Sequence, residues 1–551
     1  MLGSELLVKT WVKNGVEVVF GMPGAITLPL YDALYGCRGI RHVLVRHENA
    51  AAFMANAYGR VAGRSGTCFV IPGPGVTNTS TGMADAFVAS VPMVVVSGEV
   101  DPENVERGAV HEMDLDTFYM PITKARFHLR DADEIPDIVS EAYRLAGEGR
   151  PGPVHVSIPI AVLRQDVQAS TLVRSKPHSS CGRVSAVDVR RVSDLLCGSR
   201  SPIILVGEGL APRLVQGELV GLSEALDAPV LVSRLAKGSL PEDHRLALGV
   251  VRNDPVLVDL VESADVALAL GFRFSETASL NWRLKFPQRM IQVDSDPTEI
   301  GKNYPAVLGL VCDEAVFLHR LAVEVGKASG CRMVEREAWR RKVDASRLLM
   351  ERRLRPMMES DARPIHPLRL IKEIRNCLSR DAIVTTDPGN TQIWALYFFP
   401  AYQPNSFVTS SDFASMGSGL PFAIASKIAK PDRQVLCITG DGGFLMNCQE
   451  LATAVENQLP LVIAIFNDSG YGAIRHAQDL SYSGRRIAVD WVSPDFVKLA
   501  ESFGAAGRSI IDPGLIKPSL EEALESRLPY ILDFRVDPDV KVAEALAHAH
   551  S

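Results

Sequence analysis

The chain has 551 residues, more than one hydrophobic core organises, so several domains are expected. Apolar residues make up 47% and charged residues 22%, a globular balance that excludes a disordered chain. The net charge of −7, without any basic block, argues against nucleic acid as the main partner.

In chain order, the opening Met-Leu-Gly-Ser-Glu-Leu-Leu is amphipathic and carries Glu5 early, unlike a signal peptide. No run of about 18 uncharged apolar residues follows anywhere, so no membrane span is expected. Nine cysteines stand singly, with no CxxC pair, and read as reduced thiols of a cytoplasmic protein. Val18–Phe20, Thr67–Ile71, Met93–Ser97 and Val154–Ile158 are short β-branched runs, mostly followed by a Gly- or Pro-rich turn and a helical period. That alternation predicts a parallel α/β sheet. Gly147–Pro153 is a turn cluster, and the polar, Ser-rich Val167–Val187 reads as a linker.

A second α/β unit follows, with strands expected at Ile203–Val206, Pro229–Val232, Val266–Leu270 and Met290–Val293. The charged stretch Glu335–Arg355 has helical spacing. Strands of a third unit are expected from Asp381–Thr385, Gln434–Ile438, Leu461–Phe466 and Tyr530–Val536. The expected fold class is therefore α/β, three doubly wound parallel-sheet domains at 1–170, 185–345 and 360–551.

One motif narrows the chemistry. The strand Val435–Thr439 ends in Gly440-Asp441-Gly442-Gly443, and a helical stretch follows at Gln449–Glu456. Glycines let a backbone approach an anion, and N–H groups at a helix start favour phosphate. A carboxylate beside phosphate makes sense only with a cation between them, and Mg²⁺ bridges side chains to phosphate oxygens in this way. A second ligand is expected from a neighbouring strand end. Leu461–Phe466 runs into Asn467-Asp468-Ser469-Gly470-Tyr471, with Asp468 far enough on for one helix and one strand to return to the same sheet edge. The plain alternative is a strand–turn–helix with a capping Asp.

Gly-Asp-Gly followed at this distance by Asn-Asp resembles the signature of thiamine-diphosphate enzymes. The rest of the chain is similar to their acetolactate synthase branch, through Phe20-Gly-Met-Pro-Gly-Ala25, Arg46-His-Glu48-Asn-Ala-Ala-Ala, Gly73-Pro-Gly-Val-Thr-Asn78, Pro121-Ile-Thr-Lys124, Val293-Asp-Ser-Asp-Pro-Thr-Glu-Ile-Gly-Lys302, Met416-Gly-Ser-Gly-Leu-Pro and Asp495–Gly504. The resemblance implies that Asp441, Asp468 and the carbonyl of Gly470 hold Mg²⁺, although many relatives have Asn in place of Asp468. It implies that Gly389, Asn390, Thr391, Gly440, Gly442, Gly443 and Tyr471 bind thiamine diphosphate, although Gln-His is common where Asn390-Thr391 stand. Met416 falls where a bulky apolar side chain bends the cofactor, with the Ala414 carbonyl accepting from its amino group; a core methionine is the plain alternative.

By the same resemblance Glu48 activates the aminopyrimidine ring, against the alternative of a simple helix-dipole contact. Because the two halves of the cofactor would fall to different domains of different subunits, a homodimer or a dimer of dimers (a homotetramer) with active sites at the interface is implied. His111, in Val110-His111-Glu112, stands where a glutamine usually reaches the reacting carbon, and an imidazole there can move protons. The alternative is a hydrogen-bonded structural histidine. Gly24, Ala25, His111 and Ile474 are the expected substrate contacts.

The implied substrate is a small-molecule 2-oxo acid; decarboxylation leaves an enamine that is either protonated to an aldehyde or joined to a second carbonyl compound. Simple pyruvate decarboxylases carry acidic residues where Ala25 and Ile474 stand here, so carboligation is expected, with non-ligating decarboxylation second. An inactive cofactor-binding scaffold is a further alternative, opposed by the presence of Glu48, Asp441 and Asp468 together. An NAD(P) dehydrogenase would rest only on Gly207-Glu-Gly209, with no ribose-binding acid following convincingly. Bound FAD is possible but not favoured, because the matching middle-domain stretch reads Gly249-Val-Val-Arg-Asn253.

Overall fold

The computed structural model describes residues 1–167, 184–327 and 335–546. Most of the expected linker Val167–Val187 lies outside the described residues. Three six-stranded sheets form, with every pairing parallel. The first contains β1 (Val18–Gly21), β2 (Arg41–Leu44), β3 (Gly66–Val70), β4 (Met93–Glu99), β5 (Ala125–His128) and β6 (Pro153–Pro159), in the order β2-β1-β3-β4-β6-β5. The second contains β7 (Pro202–Val206), β8 (Val230–Val232), β9 (Ala247–Val250), β10 (Val266–Leu270), β11 (Arg289–Asp294) and β12 (Leu308–Val311), in the order β12-β11-β10-β7-β8-β9. The third contains β13 (Ile383–Thr386), β14 (Phe407–Val408), β15 (Val435–Gly440), β16 (Val462–Asn467), β17 (Ala506–Ile510) and β18 (Tyr530–Arg535), in the order β14-β13-β15-β16-β18-β17. Parallel strands are covered by helices on both faces, and inner strands such as β4 and β7 are accordingly buried along almost their whole length.

Strand order reverses between β1 and β3, between β7 and β10, and between β13 and β15. In open parallel sheets these switch points leave a crevice at the carboxyl ends of the strands, where ligands bind. At the second one, a Cβ on Gly209 would lie 2.8 Å from the Gly271 Cα, and one on Gly207 would overlap the Gly271 carbonyl. The pair Gly207 and Gly209 therefore permits close approach of two strand ends. The helix expected at Glu335–Arg355 runs over Glu337–Met358.

The contacts divide the chain into two units. One takes Met1–Ser180 with Phe413–Asp432 and Met446–Leu459; the other takes Cys181–Asp412, Arg433–Leu445 and Pro460–Ser551. In the first unit the Ala-rich helix Glu48–Ala62 buries Ala50, Ala51 and Ala52 completely. Those small side chains let the helix Pro74–Ala89 come so close that a Cβ on Gly82 would lie 2.6 Å from the Ala52 Cβ. The other side of the Glu48 helix packs on Gly419–Ala429, with Phe53 and Phe422 edge to face at 5.7 Å. Such a pair contributes about 0.5–1.5 kcal/mol beyond its buried area.

Cys197 is disulfide-bonded, which corrects the expectation of thiols throughout; the other described cysteines are free. Spacing along the chain cannot reveal a pairing made by the tertiary fold. Among the described residues no helix is long and apolar enough to cross a membrane.

Candidate functional site

The third sheet places its chemistry at the β13/β15 switch point. β15 ends at Gly440, and Asp441 opens the helix Asp441–Met446 directly after it. Asp441 is wholly buried; Oδ2 accepts from the Ser493 hydroxyl at 3.0 Å, while Oδ1 is buried with no hydrogen-bond partner. Burial pushes its carboxyl above the ordinary aspartate range. Asp468, one residue beyond β16, is pushed up to about 7, first by burial and then by the neighbouring Asp441 charge. Two carboxylates in a buried crevice, one raised by the charge of the other and one with an unsatisfied oxygen, are the donor set that a hard divalent cation satisfies.

The segment after Asp468 is held by an antiparallel bridge between Gly470 and Asp490. Tyr471 N donates to Val489 O at 2.8 Å and Trp491 N to Ser469 O at 3.1 Å. In that pattern the Gly470 carbonyl points away from the bridging strand and remains available as a third oxygen. Among the described residues no group of three or more His, Cys, Asp or Glu side chains is placed to hold a metal, so carbonyl or phosphate oxygens would have to complete the shell.

The glycines are required by contact. A Cβ on Gly442 would lie 2.8 Å from both the Tyr471 and Trp491 rings, which stack edge to face at 4.6 Å. A Cβ on Gly443 would overlap the Asp387 carboxylate, and one on Gly472 the Asp468 carboxylate. Across the switch point, Gly389 (φ 131°) precedes the helix Asn390–Phe398 and adopts a backbone conformation that side chains disfavour. Thr391 Oγ1 lies 3.5 Å from the place of a Cβ on Gly440, so the Gly389–Thr391 turn and the Gly440–Gly443 turn face one another. The Asn390 amide is tethered at 3.2 Å to His476 Nδ1. Ile474, on the helix Gly472–Ser481, is exposed.

In the first unit, Glu48 starts its helix and is buried, with Oε2 accepting from the Asn78 amide at 2.9 Å. Asn78 lies on the helix Pro74–Ala89, whose preceding Gly73 (φ 59°) sits against His111: a Cβ there would be 3.0 Å from the His111 carbonyl. His111 itself has φ 67°, and its Nδ1 is buried with no hydrogen-bond partner. Non-glycine residues held at positive φ cluster at functional sites. Gly24 packs so tightly on Ile71 that a Cβ would overlap it, and Ala25 opens the adjoining 3₁₀ turn. Glu48, Asn78, His111, Gly24 and Ala25 thus gather at the carboxyl edge of the first sheet, around its β1/β3 switch point. Met416 is half-buried rather than a core side chain, and Ala414 beside it is exposed at φ 54°.

Several residues of this arrangement carry no motif. Ser493 joins Asp441 to Asn467, partners that lie 52 and 26 positions away in the chain. Arg475 is 2% exposed and holds Asp468 Oδ2 at 3.3 Å and Asp490 at 2.6 Å. Asp387 fills the space over Gly443, and the Asp-Pro-Gly389 sequence was the one available signal for it.

Three family domains match the chain: the thiamine pyrophosphate enzyme N-terminal TPP binding domain over residues 1–120, the central domain over 189–321, and the C-terminal TPP binding domain over 387–534. Among curated proteins, the probable acetolactate synthase large subunit of Methanocaldococcus jannaschii is 37% identical, the alignment covering 99% of this chain and 93% of that protein. The acetolactate synthase isozyme 3 large subunit of Escherichia coli is 34% identical over 97% of this chain and 95% of its own length. An acetolactate synthase of Mycobacterium bovis is 32% identical, covering 98% and 89%.

Proposed function

Since the chain belongs to the thiamine-pyrophosphate-dependent, acetolactate synthase-like enzymes, we propose that it decarboxylates a 2-oxo acid and joins the remaining acyl unit to a second carbonyl compound. We further propose a Mg²⁺ requirement, and a homodimer or dimer of dimers in which the Glu48 side of one subunit serves the Asp441 side of another. The observation that carries the reading is the buried, unpartnered Oδ1 of Asp441 beside Asp468 at a switch point lined by glycines. When bound, thiamine diphosphate supplies the nucleophilic thiazolium carbon and the electron sink that decarboxylation needs.

The residues of the chain would bind, orient and protonate around it. Asp441, Asp468 and the Gly470 carbonyl hold the cation; the Gly389–Thr391 and Gly440–Gly443 turns bring backbone N–H groups to the diphosphate. Glu48 exchanges a proton with the ring nitrogen of the aminopyrimidine, steadied by the Asn78 amide. Met416 would pack against the cofactor and favour its bent form, and the Ala414 carbonyl would accept from its amino group. Ala25 and Ile474 would present apolar surface with no acid to deliver a proton, which favours a second carbonyl compound as acceptor.

His111 supports a second reading, a decarboxylase that releases aldehyde, because its Nδ1 lacks a partner and an imidazole can deliver a proton. The test is incubation with a panel of 2-oxo acids, Mg²⁺ and thiamine diphosphate, following CO₂ together with aldehyde and acyloin products. CO₂ with acyloin supports carboligation; CO₂ with aldehyde alone transfers the reading to the decarboxylase. In the latter case His111→Gln should cut aldehyde release.

A further inference from the structure

We propose that His128 is a positioning residue that clasps both roots of the segment carrying His111. The inference rests on the role given to His111 above. β4 ends at Glu99, the chain then leaves the sheet through Asp101–Asp114, and it returns in the short helix Leu115–Tyr119. His111 lies within that excursion. Its own internal ties are local: Ala109 N donates to Glu112 Oε2 at 2.9 Å, Glu106 N bonds the same carboxylate, and Glu112 N donates to Ala109 O. Beyond these, Asp101 Oδ1 accepts from Ala161 N at 2.9 Å at the departing end, and His111 packs on Gly73.

His128, the last residue of β5, spans the two roots. Its Nδ1 lies 3.3 Å from the Glu99 carboxylate at the departing root, and its Nε2 lies 3.5 Å from Asp116 Oδ1 at the returning root. Ser157 on β6, the strand partner of His128, completes the contact. The Ser157 hydroxyl lies 2.7 Å from both Glu99 Oε2 and His128 Nδ1. Proton counting decides the state of the imidazole. An ionised carboxylate only accepts, so the single Ser157 proton goes to Glu99, and Ser157 must accept from Nδ1–H. Asp116 likewise accepts from Nε2–H. The network closes only when both ring nitrogens carry protons, so the clasp is an imidazolium between two carboxylates.

The carboxylates around the ring favour that assignment. Glu99 on β4, Asp116 in the first turn of its helix and Asp114 just before it favour the cation. Arg126 on β5 opposes it but donates to Asp116 at 2.8 Å, and His155 on β6 is held neutral by burial, its pKa lowered to about 3. His128 is accordingly raised above the ordinary histidine range, chiefly by its hydrogen bond to Glu99. A histidine raised in the folded state contributes its full stabilisation below the unfolded value of about 6.5 and loses it as pH rises through the folded value. The clasp on the segment bearing His111 is therefore fully present below about pH 6.5 and is lost as pH rises through the raised His128 value.

The test uses the full chain with thiamine diphosphate and Mg²⁺, comparing wild type with His128→Gln and Asp116→Asn. Hydrogen exchange of peptides spanning 100–114, corrected for intrinsic base catalysis, should rise with pH in the wild type. Below about pH 6.5 it should be faster than wild type in both variants, and in His128→Gln it should no longer depend on pH. Turnover of the 2-oxo acid should fall in kcat more than it rises in KM, with its alkaline limb removed. Equal protection of 100–114 in all three proteins at every pH overturns the clasp. Protection that follows the prediction in a protein with no turnover of any 2-oxo acid leaves the clasp standing and removes the proposed reaction instead.

Discussion

Replacing Asp468 by Asn tests whether like charge is stored at the candidate metal site. Burial and the Asp441 charge push Asp468 up to about 7, against about 3.9 for a free aspartate. A carboxyl whose folded value is raised works against the native state: between about pH 4 and pH 7 folding requires proton uptake, and stability declines as pH rises through that window. About three pKa units at 1.36 kcal/mol each set a ceiling near 4 kcal/mol above pH 7, of which about 2 kcal/mol accumulates between pH 5.5 and pH 8. The variant forfeits the 3.3 Å ion pair with Arg475, but Arg475 keeps Asp490 at 2.6 Å and the Asp468 carbonyl at 3.1 Å. The variant should therefore gain about 1–2 kcal/mol over wild type on going from pH 5.5 to pH 8, read by urea unfolding in the presence of chelator. Mg²⁺ with thiamine diphosphate should reverse the order, because a ligand that binds only the native state stabilises the tighter-binding protein more. A difference that does not change with pH, or a wild type that gains on the variant as pH rises, refutes the charge argument.

Glu48→Gln preserves shape and the contact with Asn78 but removes the exchangeable proton, so turnover should drop about 10²–10⁴-fold while cofactor affinity, followed by fluorescence quenching, stays within about tenfold of wild type. Normal turnover would remove Glu48 from the chemistry. In Gly442→Ala the new methyl would meet Tyr471 and Trp491 at 2.8 Å, an overpacking cost of about 1–3 kcal/mol that should lower the melting temperature and weaken cofactor retention together. Glu450 is buried beneath Arg46 N and Thr453 and pushed up to about 7 by burial. Its contribution becomes unfavourable as pH rises from about 4.3 towards 7, so Glu450→Gln should melt higher than wild type at pH 8, with the difference shrinking as pH falls towards 4.3.

The strands legible in the sequence and those that were not divide by position. Every strand expected from a β-branched run, from Val18–Phe20 to Tyr530–Val536, is an inner strand of one of the three sheets. The six not expected, β2, β5, β9, β12, β14 and β17, are the two edges of each sheet. An inner parallel strand is covered on both faces and must be continuously apolar, which is what a hydrophobic run records. An edge strand can keep one side open and a mixed sequence, as Arg41-His-Val-Leu in β2 and Ala-Gly-Arg-Ser-Ile in β17 do, while the buried edges β9 and β14 are runs of only four and two residues. His128 was missed for that reason, since it sits at the end of edge strand β5. Within the site, Gly440–Gly443, Asp468 and Glu48 were legible because strand-end motifs are local. Ser493 and Arg475 were not, because their partners are brought to them by the fold.

The first and third sheets share one strand order, 2-1-3-4-6-5 when each is numbered from its own start, and the middle sheet follows 3-2-1-4-5-6. No sequence repeat betrays this likeness, because a parallel sheet demands only apolar runs of the right length at the right spacing, and many sequences meet that demand. What distinguishes the two like sheets is the chemistry set on equivalent switch points. The third carries glycine turns, two aspartates and a free carbonyl, a set suited to a cation and a polyanion. The first carries one buried glutamate, one amide donor and an unpartnered imidazole, a set suited to a neutral ring that must gain and lose a proton. The proposed cofactor carries both kinds of group, an ionic end of the kind the third sheet suits and a heterocycle of the kind the first sheet suits.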